Sequence, residues 1–392
     1  MKLFQKLLLA PTAIGLLAPI TASASEANLM DVSSYSQVDV EVTQDTFKPL
    51  STTNPLLAGG EGLGQDFSND FDGDSFSATT QASFSSNWAM GFVDGTTEDK
   101  TGNVYDWSVD LTTSFDGNDA LDVTLEAGEG DNTLTELDLY DSGDPINVTN
   151  VSYTRDIGNY LTMYVSNGGA GSALFSTACA YEGQTDTLDD CANLNTGMDF
   201  GYGTAVSFAV DAGNGIGVAI GYEGENNTDG LMTDEGVDGY GVQVSYIKDN
   251  FGFSYTFVHD ENSNAANALT GGETDYQAFN AFYNPSIDRF PSISFGIENS
   301  DDNNQTDDTK DESSHYFIGA QFENVGNGTL GGAVGSKTPT AEDGETETMW
   351  EAYYAYEYAD GITITPVVFV KENAETGVDD ETGIILKTSF EF

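Results

Sequence analysis

Positive charge is scarce in this sequence: 11 Lys and Arg stand against 65 Asp and Glu, for a formal net charge of −54. That balance excludes nucleic acid as a partner, because its phosphates demand a basic surface. Histidine and cysteine are nearly absent, with two of each. No zinc-type spacing, phosphate-binding Gly-rich loop or nucleophile elbow occurs. After the first 20 residues no apolar run approaches the roughly 18 positions that a spanning helix needs. If the chain crosses a membrane, only a closed barrel is open to it. The Leu-rich amphipathic helices of a soluble chain this long are missing as well.

What is present points to strands and turns: 44 Gly, 23 Phe and 19 Tyr, with only nine Pro. The N-terminus reads as a secretory signal over residues 1–24, with Lys2 and Lys6, an apolar stretch over 7–20, and Ala22-Ser23-Ala24 for cleavage. Export favours oxidation, so Cys179 and Cys191 are expected to pair, which stabilises the loop they close by about 3 kcal/mol. Self-repulsion among so many acids penalises a compact state unless they stand on loops in a saline medium.

Residues 25–75 carry no sustained period and read as a periplasmic lead-in. From 76 to 392 apolar and polar positions alternate. Tyr105, Trp107, Val109 and Leu111 share one face, and Asp106, Ser108, Asp110 and Thr112 the other. The next segment repeats the pattern after an Asp116-Gly117-Asn118 turn, with Asp122, Thr124 and Glu126 on its polar face. Sixteen such segments follow one another, from 76–85, 104–115 and 119–127 through 361–371 to 383–392.

Long connections, expected between segments 1 and 2, 3 and 4, and so on to 15 and 16, alternate with short turns. Such sorting belongs to an all-β transmembrane barrel with both ends in the periplasm, short turns on that side and long loops outside. Charge placement agrees. Asp106, Asp110, Asp122, Glu126 and Glu351 fall on the polar, lumen-side face; Arg155, Lys248 and Arg289 fall at short turns. Lys371 and Lys387 lie nearer segment ends and, with Arg155, are expected at the rim or as a basic strip in the lumen. The final segment, with Ile384, Leu386, Phe390 and Phe392 alternating against Lys387, Ser389 and Glu391, has the form of a terminal barrel strand.

The N-terminal MKLFQKLLLAPTAIGLLAP, the segment ATTQASFSSNWAMGFVDG and the hairpin series ending in SFEF resemble cyanobacterial outer-membrane porins of the iron-uptake or carbohydrate-selective group. Relatives often carry an S-layer-homology module after the signal. Residues 25–75 are too short for one, so this is a short form. The resemblance implies a water-filled outer-membrane channel for passive diffusion of small hydrophilic solutes and ions, in contact with lipid and assembled as a homotrimer. It also implies that the third long loop, 167–201, enters the barrel, making Glu182, Asp186, Asp189 and Asp190 the candidate constriction.

Acidic loops would give the vestibule a negative potential and a cation preference. The alternatives are a channel selective for carbohydrate or iron species, and a barrel with a blocked lumen that serves structure or adhesion. No cofactor is expected, although the acid runs Asp301-Asp302, Asp307-Asp308 and Asp379-Asp380-Glu381 offer oxygen for calcium or magnesium. Catalysis is not expected: the adjacent His259-Asp260 has no placed nucleophile.

Overall fold

The computed structural model describes residues 80–392 apart from 96–99, 131–133, 138, 201–202, 226–230, 233–236, 262–272, 286–289, 303–311, 338–345 and 374–378. The signal segment, the lead-in, Arg289 and Asp307-Asp308 therefore lie outside the described residues. Sixteen antiparallel strands close into one barrel. They are β1 Thr80–Asp94, β2 Lys100–Thr113, β3 Asp119–Glu129, β4 Asn147–Ile157, β5 Leu161–Asn167, β6 Gly203–Gly213, β7 Ile216–Glu225 and β8 Asp238–Lys248 in the first half. β9 Phe251–Glu261, β10 Glu273–Tyr283, β11 Ser292–Asp302, β12 Glu312–Phe322, β13 Gly328–Lys337, β14 Glu347–Ala359, β15 Ile362–Lys371 and β16 Glu381–Glu391 complete it.

Each strand pairs with its sequence neighbours, and β16 pairs back onto β1 from Ser85–Glu391 to Asp94–Thr382. At that seam Phe84 and Phe392 exchange both backbone hydrogen bonds, at 2.8 and 3.0 Å, and their rings stack 5.6 Å apart. Closure leaves no strand edge, the condition for crossing lipid.

Period two sorts the side chains. The outward set includes Trp88, Met90 and Phe92; Tyr240, Val242 and Val244; Phe251, Phe253 and Tyr255; Ile293, Phe295 and Ile297; and Ile384 and Leu386, all exposed. Exposed aromatics ring both ends of this band: Tyr160, Phe251, Tyr283, Tyr358 and Phe392 at the short-turn end, Trp88, Phe92, Tyr240, Tyr316 and Trp350 at the other. Outward-parity charges such as Arg155, Lys248, Asp275 and Asp301 lie within three residues of a strand end. Such a surface needs hydrocarbon around its waist and water at its ends. Short turns use the left-handed residues that tight hairpins demand, as at Asn214 (φ 57°) and Gly215 (φ 87°).

Two expectations need correction. The sequence pattern puts the first segment at 76–85, with a long connection to the second; β1 instead runs to Asp94, and only 95–99 separate it from β2. The reason lies inside: Ala89, Gly91 and Val93 face the lumen and are buried there, which hides the alternation of apolar and polar residues. Nor is the lumen wall polar throughout. Val104, Phe317, Met349, Tyr353, Val367, Phe369 and Ile385 point inward and form a buried cluster with residues of two loops.

Candidate functional site

The connection 168–202 between β5 and β6 folds inward and is fixed along the inner wall strand by strand. Ser207 of β6 donates to the Gly171 carbonyl, and Glu223 of β7 accepts the Gly171 amide at 3.0 Å. Gln243 of β8 takes the Ser176 amide, Ser254 of β9 the Ala178 amide at 2.9 Å, and Ser294 of β11 the Ala180 amide at 2.9 Å. Asn280 of β10 donates to the Cys191 carbonyl at 2.8 Å, and Gln321 of β12 accepts the Glu182 amide at 3.0 Å.

Two glutamates hold the loop most firmly. Glu298 of β11 accepts from the Thr196 amide (2.8 Å), the Thr196 hydroxyl (2.8 Å), the Asn195 amide (3.0 Å) and the Asn195 side-chain amide (2.9 Å). Glu351 of β14 accepts from the Tyr181 hydroxyl (2.6 Å), the Gln184 amide (3.1 Å) and the Thr185 hydroxyl (2.7 Å). Burial, with the Glu351 carboxylate alongside, raises the pKa of the Tyr181 hydroxyl far above the usual phenol range. Cys179 and Cys191 are disulfide-bonded within the loop.

Wall glycines make this approach possible. A methyl on Gly221 would overlap the Gly171 carbonyl, and one on Gly296 the Cys191 carbonyl. The loop's free edge carries a short helix, α1 Asp186–Asp189, whose Leu188 is buried against β13 and β14. Glu182, Asp186, Asp189 and Asp190 are exposed along this edge.

The loop covers the wall from β6 to β14 and leaves an arc from β15 through β1 to β4. On this arc Asn87, Ser108, Asp110, Thr112, Asp122, Thr124, Glu126, Lys387 and Ser389 all retain contact with solvent. The β2–β3 register sets Asp106 opposite Gly128, Glu126 opposite Ser108, Asp110 opposite Thr124 and Asp122 opposite Thr112. Four carboxylates thus descend the wall, alternating between strands in steps of roughly 7 Å along the strand direction. Thr124 donates to Asp110 at 2.7 Å and Thr112 to Asp122 at 2.6 Å.

Sixteen strands, a long inward loop from the fifth hairpin connection and a wet arc opposite it decide the architecture. The chain has the porin fold. It is similar to Pseudomonas putida OprB, with a TM-score of 0.60 and 10% identity over 80% of this chain and 94% of that one. It is also similar to an anion-selective porin from Comamonas acidovorans, with a TM-score of 0.60 and 13% identity over 80% and 99% of the two chains. For Vibrio cholerae OmpT lacking loop L8 the values are 0.55 and 13%, over 80% and 99%. No family model matches the sequence, and no curated protein does. With its apolar belt and aromatic rings, the barrel is an outer-membrane protein.

Within this porin fold the expected site residues separate into three groups. Asp106, Asp110, Asp122 and Glu126 line the open arc, and Lys387 joins them. Lys387 sits well inside β16, paired with Thr365 and Ala89, rather than at the rim, and lies within electrostatic reach of Asp106, Glu351 and Asp189. Arg155 and Lys371 stand at strand ends. Arg155 is 2.8 Å from Asp116 and 3.6 Å from Asp119 by the short turn, and Lys371 is 2.5 Å from Glu136 at the long-loop end. Glu351 is a buried anchor for the loop, not a pore charge.

The anchoring roles of Glu223 and Glu298 are not visible in the sequence, because an acid on a polar face reads as wet until a loop covers it. Wall glycines were the available signal. Adjacent His259 and Asp260 point to opposite faces: His259 is 2.7 Å from Asp275 on the outside, while Asp260 is buried on the lumen side. Among the described residues no group of three or more His, Cys, Asp or Glu is placed to hold a metal.

Proposed function

We propose that the chain is a passive, cation-preferring diffusion channel of the outer membrane for small hydrophilic solutes and ions. The observation that carries this reading is the solvent-exposed arc with its four carboxylates, faced by the acidic edge of the inward loop and tempered, among the described residues of the arc, by Lys387. A low-dielectric wall focuses such a field and raises the local cation concentration. In this reading Glu182, Asp186, Asp189 and Asp190 border the constriction, the long loops face outward and the short turns face the periplasm. The Comamonas porin is described as anion-selective; here the wet arc is lined by carboxylates.

The resemblance to the cyanobacterial group without an S-layer-homology module, the signal over 1–24 and a homotrimeric assembly belong to this proposal. Selectivity for carbohydrate or iron species is the second reading, favoured by the buried apolar cluster on the lumen side of the wall. Purified protein in planar bilayers tests the proposal: steady stepwise conductance is expected. Saturable block by a sugar would favour the second reading, and silence would favour a barrel with a blocked lumen.

A further inference from the structure

The open arc does not reach the long-loop end uncovered. Residues 134–137 and 139–140 of the connection between β3 and β4 lie against the inner wall, and the short 3-10 turn, Thr135–Leu137, covers that end. Leu134 and Leu137 are buried with Val104, Val367, Phe369 and Ile385 of the wall and with Tyr181 and Leu188 of the longer loop. Between these two leucines Glu136 accepts Lys371 Nζ at 2.5 Å and the Thr187 hydroxyl at 3.1 Å. The return leg lies on the wall as well. A methyl on Gly128 would overlap the Tyr140 carbonyl, and the Tyr140 amide points at Asp106 from 3.4 Å.

We propose that Lys371, acting through Glu136 and Thr187, latches the Thr135–Leu137 turn over the wet arc and so fixes the size limit of the channel for uncharged solutes. This rests on the channel reading given above. Three separate elements meet at Glu136: the end of β15, the turn of the shorter loop and helix α1 of the longer loop. Lys371 is the one cation at this junction among the described residues, and Glu347 and Glu381 of the adjoining strands also act on it. Without it, the buried Glu136 carboxylate must take up a proton or leave its place, and either outcome ends the hold of β15 on the turn. The mouth over the wet arc then widens. Lys371 is thus a positioning residue; it acts by holding the loop, not by touching solute.

The test is liposome swelling with mono-, di- and trisaccharides for the wild type, Lys371→Met, Lys371→Arg and Glu136→Gln. Trisaccharide entry relative to monosaccharide should rise several-fold in Lys371→Met, with unchanged heat-modifiability of the barrel on gels. Glu136→Gln should rise similarly, Lys371→Arg should stay near wild type, and the Lys371→Met/Glu136→Gln double variant should exceed neither single one. A Leu137→Cys/Leu188→Cys pair, with Cys179–Cys191 kept, should cross-link on oxidation and hold the wild-type limit even with Lys371→Met. An unchanged size limit in Lys371→Met, while the wild type admits monosaccharide, overturns the latch alone. A wild type that admits no solute overturns the channel reading and the latch with it, even if the cysteine pair cross-links.

Discussion

Glu298 meets four donors from two consecutive loop residues, Asn195 and Thr196. A buried carboxylate is tolerable only when its lone pairs are filled in this way. Replacing it with Ala leaves several donors without a partner and should weaken the anchoring by about 3 kcal/mol, more than a single charged hydrogen bond contributes. Hydrogen exchange at the Asn195 and Thr196 amides should then quicken by roughly a hundredfold, while exchange in the strands stays slow; unchanged protection at those amides would show that Glu298 does not hold the loop. Lys387 is a different kind of residue, a cation on a wet wall. Lys387→Met should move the reversal potential further toward the cation, and Asp110→Asn with Asp122→Asn should move it back. Equal reversal potentials for all three proteins would remove these residues from the permeation path.

Strands were legible because lipid and water impose opposite chemistry on alternate positions, as Phe251, Phe253 and Tyr255 against Gly252, Ser254 and Thr256 display. Where the inner face is dry that contrast vanishes. For this reason the sequence hides the second half of β1 at Ala89, Gly91 and Val93, and the inward cluster of Phe317, Val367 and Phe369 carries no sign of its partners. The inward course of the third loop came from resemblance, since nothing local in 168–202 tells it to enter the barrel. Its contacts reach wall residues as far as 170 positions away in the chain, at Tyr181 and Glu351.

Gly296 is where the loop's approach can be tested at the level of the element. Gly296→Val should push the disulfide-bonded segment off the wall, raising single-channel conductance and opening the loop to protease. The barrel seam gives an independent check. Deleting Phe392 removes two backbone bonds and one stacked pair, and should lower the stability of the folded barrel by about 1–3 kcal/mol. An unchanged temperature for the folded-to-unfolded gel shift would argue against that seam.

At the scale of the whole molecule, the acids are divided between surfaces with different tasks. Glu223, Glu298 and Glu351 are buried as anchors for the loop, and the Asp106 to Glu126 group stays wet on the arc. With a net charge of −54, even screened by salt, the entrance and the path carry the same sign. The most direct test of that claim is the reversal potential of single channels under a potassium chloride gradient. Displacement toward the potassium equilibrium potential is the result predicted here, diminishing as ionic strength rises; displacement toward the chloride potential would contradict the account.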